Sequence, residues 1–349
     1  MTQLSAAAHT ATGKTAGSKT VAVVGATGAV GAEMLRCLER SSYPTTRLKA
    51  FASERSAGKR FKFRGKDVEL QVLTDDAFAG VDVALFASES DISKKYAPLA
   101  IAAGAVAIDN SSAFRMDAAV PLVVPEVNGK LVTARQKLYA NPNCVAAIMS
   151  VALWPLHKQG KLTRMICSTY QSASGAGAAA MEELEISTRA YLKGEAYEPK
   201  VLPHPYAFNL FSHNTTIGPD GYNGEEAKVI AEMRKIMGLP ELRVGVTCVR
   251  VPVLRAHSMA ITAEFADKVS VEQARTLLSK APGIKLVDDR AGNRFPMPVE
   301  VSGRDEVLVG RIREDLSDPT GHTLALFVCG DQLLKGAALN AVQIAELLP

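Results

Sequence analysis

Thr20-Val-Ala-Val-Val24 runs directly into Gly25-Ala-Thr-Gly28-Ala-Val-Gly31, after which Val30, Met34, Leu35 and Leu38 recur at helical spacing. The β-branched apolar run predicts a buried strand, the glycines a tight turn and the apolar recurrence an amphipathic helix. In that order, Gly25, Thr27, Gly28, Ala29 and Val30 form a turn whose backbone N–H groups face the helix N-terminus. A pyrophosphate fits there, because glycine lets the backbone approach it and the helix dipole favours the negative charge. The competing reading is a tight turn and nothing more. Further strands are expected at Leu48–Ser53, Val68–Val72, Val81–Phe86 and Ala105–Asp109, with a helix near Ser93–Ala103. Strands alternating with crossover segments predict a parallel, doubly wound α/β sheet over residues 20–143.

The rest of the chain has a different texture. Leu162–Gln171, Arg243–Val253, Ser258–Phe265, Val307–Glu314 and Thr323–Val328 read as longer strands, with helices near Met181–Leu192, Glu225–Met237 and Val271–Lys280. Long strands with few crossovers predict an α+β domain over 144–330 with a mostly antiparallel sheet. An apolar helix near Gln332–Leu348 is free to return to the first domain, and 331–349 is assigned there. Residues 1–19 are rich in Ala, Thr, Ser and Gly and contain no acid. They read as a disordered tail or as the remnant of a transit segment.

Composition narrows the function. The chain has 349 residues, 47% apolar and 22% charged, so it is globular and large enough for two domains without disulfide or metal staples. No apolar run reaches the roughly 18–20 residues a membrane helix needs. A net charge of +4, with no basic block among aromatics, does not indicate a nucleic-acid partner. Five scattered cysteines without a C-x-x-C pair point to a reducing compartment and to no metal site. The cytoplasm is expected, with the plastid stroma as the alternative.

Two segments carry chemistry. In Ser53-Glu-Arg55-Ser56-Ala-Gly-Lys59, at the end of the second strand, Arg55 with Ser53 and Ser56 favours the 2′-phosphate of NADP. Glu54 argues for NAD, and a plain solvated loop is the third reading. In Asn141-Pro-Asn143-Cys144, Asn143 is the expected N-cap and Cys144 lies in the first helical turn, where the helix dipole favours a thiolate. The other cysteines sit within a helix or in apolar strands, where the thiol packs as a small hydrophobe. Of six histidines, His257 lies near arginines at a strand junction, although a surface-loop reading fits it equally. His204 and His213 fall in Pro- and Asn-rich loops. Asp109-Asn-Ser-Ser-Ala-Phe-Arg115 follows a strand at the edge expected to border a ligand. Glu225 and Lys228 share one helix face, where a solvated i,i+3 pair is the simpler reading.

Taken together, these residues resemble the aspartate-semialdehyde dehydrogenase family from about Val21 to Leu348. The similar blocks are G-A-T-G-A-V-G at Gly25, S-x-R-S-A-G-K at Ser53, D-N-S-S-A-F-R at Asp109, V-V-P-E-V-N at Val123, N-P-N-C at Asn141 and S-G-A-G at Ser174. N-L-F-S-H-N at Asn209, R-V-P-V-L-R-A-H at Arg250 and G-A-A-L-N-A-V-Q-I-A-E at Gly336 complete the set. The resemblance implies a Rossmann-type NADP-binding domain and a catalytic and dimerisation domain. The implied reaction is reductive dephosphorylation of aspartyl phosphate, with NADPH, in amino-acid biosynthesis. It implies Cys144 as acyl-thioester, Gln171 and Asn143 beside the substrate, His257 as acid/base, Arg250 on the α-carboxylate and Glu225 on the amine. Arg115 and Lys228 would hold phosphate, and Ser174, Gly175 and Gln332 would join the glycine turn, Arg55 and Ser56 around the cofactor. A homodimer or homotetramer is implied. Ala87-Ser-Glu89-Ser-Asp91 departs from the family's small residues, and its acids should repel a nearby pyrophosphate. The rival readings are an N-acetyl-glutamyl-phosphate reductase-like enzyme, which does not need Glu225, and a non-catalytic NADP-binding protein.

Overall fold

The computed structural model describes residues 17–349. Its first half runs β1 (Lys19–Val24), α1 (Ala29–Arg40), β2 (Thr45–Ala52), β3 (Arg60–Phe63), β4 (Lys66–Val72) and β5 (Val83–Phe86). It continues through α2 (Ser90–Ala102), β6 (Val106–Asp109), α3 (Pro125–Asn128) and β7 (Leu138–Ala140). The strands form one sheet in the order β3-β4-β2-β1-β5-β6-β7, parallel except for the β3–β4 hairpin at its edge. Period-two alternation sorts the side chains onto two buried faces. Val21, Val23, Val83, Leu85 and Ile108 pack on the side of α1, whereas Ala22, Val24, Ala84, Phe86 and Ala107 pack with Tyr96, Ala97 and Ala100 of α2.

The second half comprises α4 (Cys144–Gly160), β8 (Leu162–Gln171), α5 (Ala178–Leu192), β9 (Phe211–Ser212), α6 (Gly224–Met237), β10 (Arg243–Arg250) and β11 (His257–Phe265). Next come α7 (Val271–Lys280), β12 (Ile284–Leu286), α8 (Pro298–Val301), β13 (Val307–Glu314) and β14 (Thr323–Gly330). The sheet order is β12-β13-β14-β11-β8-β10-β9, antiparallel except at β12–β13 and β8–β10. Helices α4, α6 and α7 cover one face around Met165, Cys167, Cys248, Met259, Ile261 and Val328. The opposite face leaves Ile166 and Tyr170 exposed.

Many element ends shift by one to three residues, the short strands β3, β7, β9 and β12 were not expected, and three further differences bear on the chain's ends and the site. Lys19 already belongs to β1, because it pairs with Thr45, while residues 1–16 of the expected tail lie outside the described residues. The strand expected over Arg243–Val253 stops at Arg250, where the chain turns away toward His257. The C-terminal helix is not one α-helix from Gln332. A π-turn over Leu334–Ala338 precedes α9 (Leu339–Glu346), and such turns gather at functional sites. Leu334, Leu339, Val342 and Ile344 pack into the first sheet's core beside Val21 and Val23.

Candidate active site

The glycine turn leaves the start of α1 without a side-chain cap. Gly25 has φ +80, and a Cβ there would drive into the carbonyl of Ala87. Gly28 is the N-cap of α1 with no side-chain cap, and no acid occupies the first turn, so the N–H groups of Ala29 and Val30 are open to a ligand. Thr27 and Gly28 are exposed beside them. Arg55, exposed in the Glu54–Ser56 turn, lines a neighbouring groove with Ser53, Ile92 and Tyr96, and it has no ion-pair partner among the described residues. Ser56 is half-buried next to it. Glu89 is exposed at the N-cap of α2, on the rim of the cavity described next.

That cavity, of about 370 Å³, lies where the carboxyl ends of the first sheet face the second half. It brings together Val30, Arg115, Asn143, Cys144, Gln171, Ser174, Gly175, Glu225, Lys228, Arg250, His257 and Gln332. Local structure places most of them. The Asn143 side chain caps α4 through the N–H groups of Val145 (2.9 Å) and Ala146 (3.3 Å), setting Cys144 in the first turn. Gly336 of the π-turn lies so close that a Cβ there would sit 2.8 Å from Cys144 Cβ. Gln171 and Arg250 end the paired strands β8 and β10 in register with each other.

The charges are arranged asymmetrically. Arg250 is buried and has no carboxylate partner among the described residues. Its Nη1 donates to Ser172 O (3.1 Å) and its Nη2 to His213 Nε2 (2.8 Å), which leaves one N–H on each terminal nitrogen for a ligand. Arg115 donates to Asn141 O, Asn110 O and Glu232 Oε1, again leaving one terminal N–H on each side. Glu225 Oε1 accepts from Asn143 Nδ2 (2.8 Å) and Gln171 Nε2 (3.2 Å), and Lys228 Nζ lies 4.0 Å from Oε2. Burial pushes the Glu225 carboxyl up, but the neighbouring His213 first, then the Asn143 hydrogen bond, the Lys228 charge and the Gln171 hydrogen bond, hold it below the usual range. The cavity wall thus carries the Glu225 carboxylate with Arg250, Lys228 and Arg115, the last paired with Glu232 behind it, and Glu89 stands on the rim.

Two titrating groups depart from expectation. The Cys144 thiol is pushed up to about 12, first by burial and then by Glu225, with Arg115 and Arg250 pulling the other way. The expected thiolate-favouring helix end is therefore outweighed, because desolvation penalises the charged sulfur. His257 is buried, not a surface histidine, and burial with the Arg250 charge holds it well below the ordinary imidazole range, hence neutral. The Ser172 N–H donates to Nδ1 at 3.1 Å, so the ring's proton sits on Nε2, which is buried without a protein partner. Gly175 makes room for that edge, since a Cβ there would meet His257 Cε1 at 2.9 Å. Ala256, at φ +74, is a strained non-glycine residue whose N–H is held by Gln332 Oε1 at 3.0 Å, which orients the histidine that follows. Ser174 and Gln332 are both buried and hydrogen-bonded to each other.

The sequence reading missed four participants. His213 is buried against Arg250 and does not idle in a loop. Thr215 Oγ1 accepts the Glu225 N–H, and Ser172 sets the His257 tautomer. Glu232, which the sequence reading did not single out, is buried: it takes Arg115 on Oε1 and the Asn143 N–H on Oε2 (2.5 Å). The only available signal was the Asn223-Gly-Glu-Glu226 start of α6, a capping box that sets Glu225, Lys228 and Glu232 along one face.

The chain is similar to known proteins over most of its length. Residues 20–134 match the semialdehyde dehydrogenase NAD binding domain, and residues 153–335 match the semialdehyde dehydrogenase dimerisation domain. An aspartate-semialdehyde dehydrogenase of Synechocystis is 52% identical over 328 residues, covering 94% of this chain and 96% of that protein. The Bacillus subtilis enzyme of the same name is 44% identical over 94% of this chain and 96% of its own. Among solved structures, aspartate semialdehyde dehydrogenase II of Vibrio cholerae complexed with ASA superposes with a TM-score of 0.91 at 40% identity, covering 95% of this chain and 98% of that one. On this similarity over nearly its whole length, the chain belongs to the aspartate-semialdehyde dehydrogenase family of enzymes.

Proposed function

We propose that the enzyme reduces L-4-aspartyl phosphate to L-aspartate 4-semialdehyde with NADPH, releasing phosphate, through a thioester on Cys144, as a step of amino-acid biosynthesis. The observation that carries this is a cysteine at a helix mouth sharing one cavity with an ionised Glu225, with Arg115 and Lys228, and with a buried Arg250 that has no carboxylate partner among the described residues. An amino acid's carboxylate and ammonium match Arg250 and Glu225, and its acyl phosphate matches Arg115 and Lys228. The ammonium would offset the Glu225 charge, one of the causes that raise the thiol. Cys144 Sγ bonds to the acyl carbon as the C–O bond to phosphate breaks, the thiol proton leaving on the released phosphate, and Gln171 and Asn143 hold the carbonyl end. The His257 Nε2–H is a ready donor to the oxygen on which charge develops, and a bound phosphate anion would raise its basicity toward acid/base use. NADPH would lie along the glycine turn and supply the hydride, with Arg55 and Ser56 on the 2′-phosphate and Ser174, Gly175 and Gln332 toward the thioester.

Glu225 is buried and held by two amides, which favours a free substrate amine over an acetylated one. We place 20–143 with 331–349 in the cofactor domain and 144–330 in the catalytic domain, with a homodimer formed across the Ile166 and Tyr170 face. The five unpaired thiols suit a reducing compartment, the cytoplasm or the plastid stroma. The test is NADP reduction with aspartate semialdehyde, with and without phosphate, and mass spectrometry of the trapped enzyme. Phosphate-dependent turnover and an acyl adduct on Cys144 are expected. Cys144→Ser should fold normally and lose more than about a thousandfold in turnover. An adduct on Cys167 or Cys329 would overturn the assignment.

A further inference from the structure

We propose that His213 is a positioning residue for substrate recognition, a neutral acceptor that aims the Arg250 guanidinium at the substrate's α-carboxylate without competing for its charge. The inference rests on the reading that Arg250 binds that carboxylate.

The short strand β9 delivers the residue. Phe211 pairs with Arg250 and Ser212 with Val249, and the next N–H, that of His213, donates to Cys248 O at 2.8 Å. The ring is therefore anchored beside the end of β10 and is buried. Arginine only donates, so the 2.8 Å contact from Arg250 Nη2 requires a bare lone pair on His213 Nε2. The single ring proton then sits on Nδ1, which faces Thr215 Oγ1 at 3.3 Å. That oxygen also accepts the Glu225 N–H at 3.0 Å and passes its own proton toward Asn223 Oδ1 at 3.4 Å. Every donor in this chain meets an acceptor, and the chain joins Arg250 to the helix start that carries Glu225. The two groups proposed to grip the carboxylate and the ammonium of an α-amino acid are thus held by one relay.

The choice of a neutral ring matters. A carboxylate at the same place would also accept from Arg250, but it would neutralise the guanidinium and leave little attraction for a ligand carboxylate. Burial holds the ring neutral at working pH, since its pKa falls to about 4. Arg250 therefore keeps an uncompensated charge together with a fixed geometry.

The experiment compares KM and kcat for aspartate semialdehyde and for 3-aminopropanal, which carries hydrogen in place of the α-carboxylate, each with NADP and saturating phosphate. His213→Leu should raise KM for the semialdehyde by about 10- to 100-fold, the worth of one hydrogen bond to a charged group. KM for 3-aminopropanal and kcat for the semialdehyde should move by less than about threefold, because the reacting end is untouched. His213→Gln, whose Oε1 can replace Nε2, should restore the semialdehyde KM. His213→Glu, which accepts equally but carries charge, should not. Equal KM increases for both substrates, or no rescue by glutamine, would overturn the proposal. Should His213→Leu fail to fold, the Gln and Glu variants decide alone, and equal semialdehyde KM values in the two would overturn it. Arg250→Leu, measured alongside, separates the two levels. If it fails to discriminate between the substrates, the Arg250 reading is at fault. If it discriminates and His213→Leu does not, only the present inference falls.

Discussion

At the scale of single residues, ionisation in this cavity follows from who is buried beside whom. The thiol of Cys144 sits at a helix N-terminus, a place that elsewhere lowers a cysteine's pKa, yet desolvation and the nearby Glu225 carboxylate push it up to about 12. Removing the carboxylate's charge should therefore lower the pKa and raise the thiolate fraction at a given pH. Glu225→Gln, free of ligand, should alkylate at Cys144 with iodoacetamide roughly three- to tenfold faster at pH 8, since a tenth of the proton affinity means ten times the thiolate. A wild-type alkylation rate would show that Glu225 does not hold the sulfur protonated. The same logic makes His257 neutral and directs its proton to Nε2. That outcome depends on one backbone N–H, of Ser172, and not on the histidine's own neighbours in sequence.

At the scale of elements, α6 is the organising helix. Its capping box sets the register, and one face then carries Glu225, Lys228 and Glu232 at i, i+3 and i+7. Only Lys228 of the three is substantially exposed, with 42% of its side-chain surface accessible, so it is the one whose bland and functional roles can be separated. As a solvated partner of Glu225 it would matter by only a few tenths of a kcal/mol, about 0.2–0.5, and leave kinetics alone. As a phosphate ligand, Lys228→Ala should raise KM for phosphate in the oxidising direction and leave KM for semialdehyde nearly unchanged. The acyl-enzyme would still form, so a burst of about one NADPH per site should precede slow turnover. Rapid-mixing absorbance measures this, and wild-type phosphate dependence would return Lys228 to its solvated face.

At the scale of the whole molecule, the two halves are tied where the chain crosses back. Buried Asp331 accepts from Arg255 Nε (2.7 Å), Gly303 N (2.6 Å) and Leu333 N (3.0 Å), while Arg255 Nη1 reaches Glu33 of α1 at 2.8 Å. Arg255 lies two residues before His257, so this cluster links the cofactor-side helix to the loop that carries the imidazole. Asp331→Asn should lower stability by about 1.5–3 kcal/mol, the range for a hydrogen bond to a charged group. It should appear as a lower urea midpoint with an unchanged slope, accompanied by reduced kcat. An unaltered midpoint would show the link to be idle. Lys335, buried with Glu126 and Gln343 on the way into α9, is a second tie of the same kind.

Read alone, the residues determine what depends on local chemistry. The glycine turn, the Asn143 cap over Cys144 and the alternation of buried faces follow from φ/ψ limits, capping and periodicity, all of which act within a few residues. For that reason most of the longer elements agree within a few residues with their expected positions. The failures lie at ends such as Arg250 and Gln332, where the chain leaves an element for the site, and at the short strands β3, β7, β9 and β12, whose two to four residues carry too little periodicity to be read. Tertiary structure alone decided the rest. The 2.8 Å pairing of Arg250 with His213 spans 37 residues, and that of Arg115 with Glu232 spans 117. The directions in which the Cys144 and His257 ionisations move likewise come from burial and from partners distant in sequence. Electrostatic energy in a dry cavity depends on distances through space, and those exist only once both sheets have closed around it.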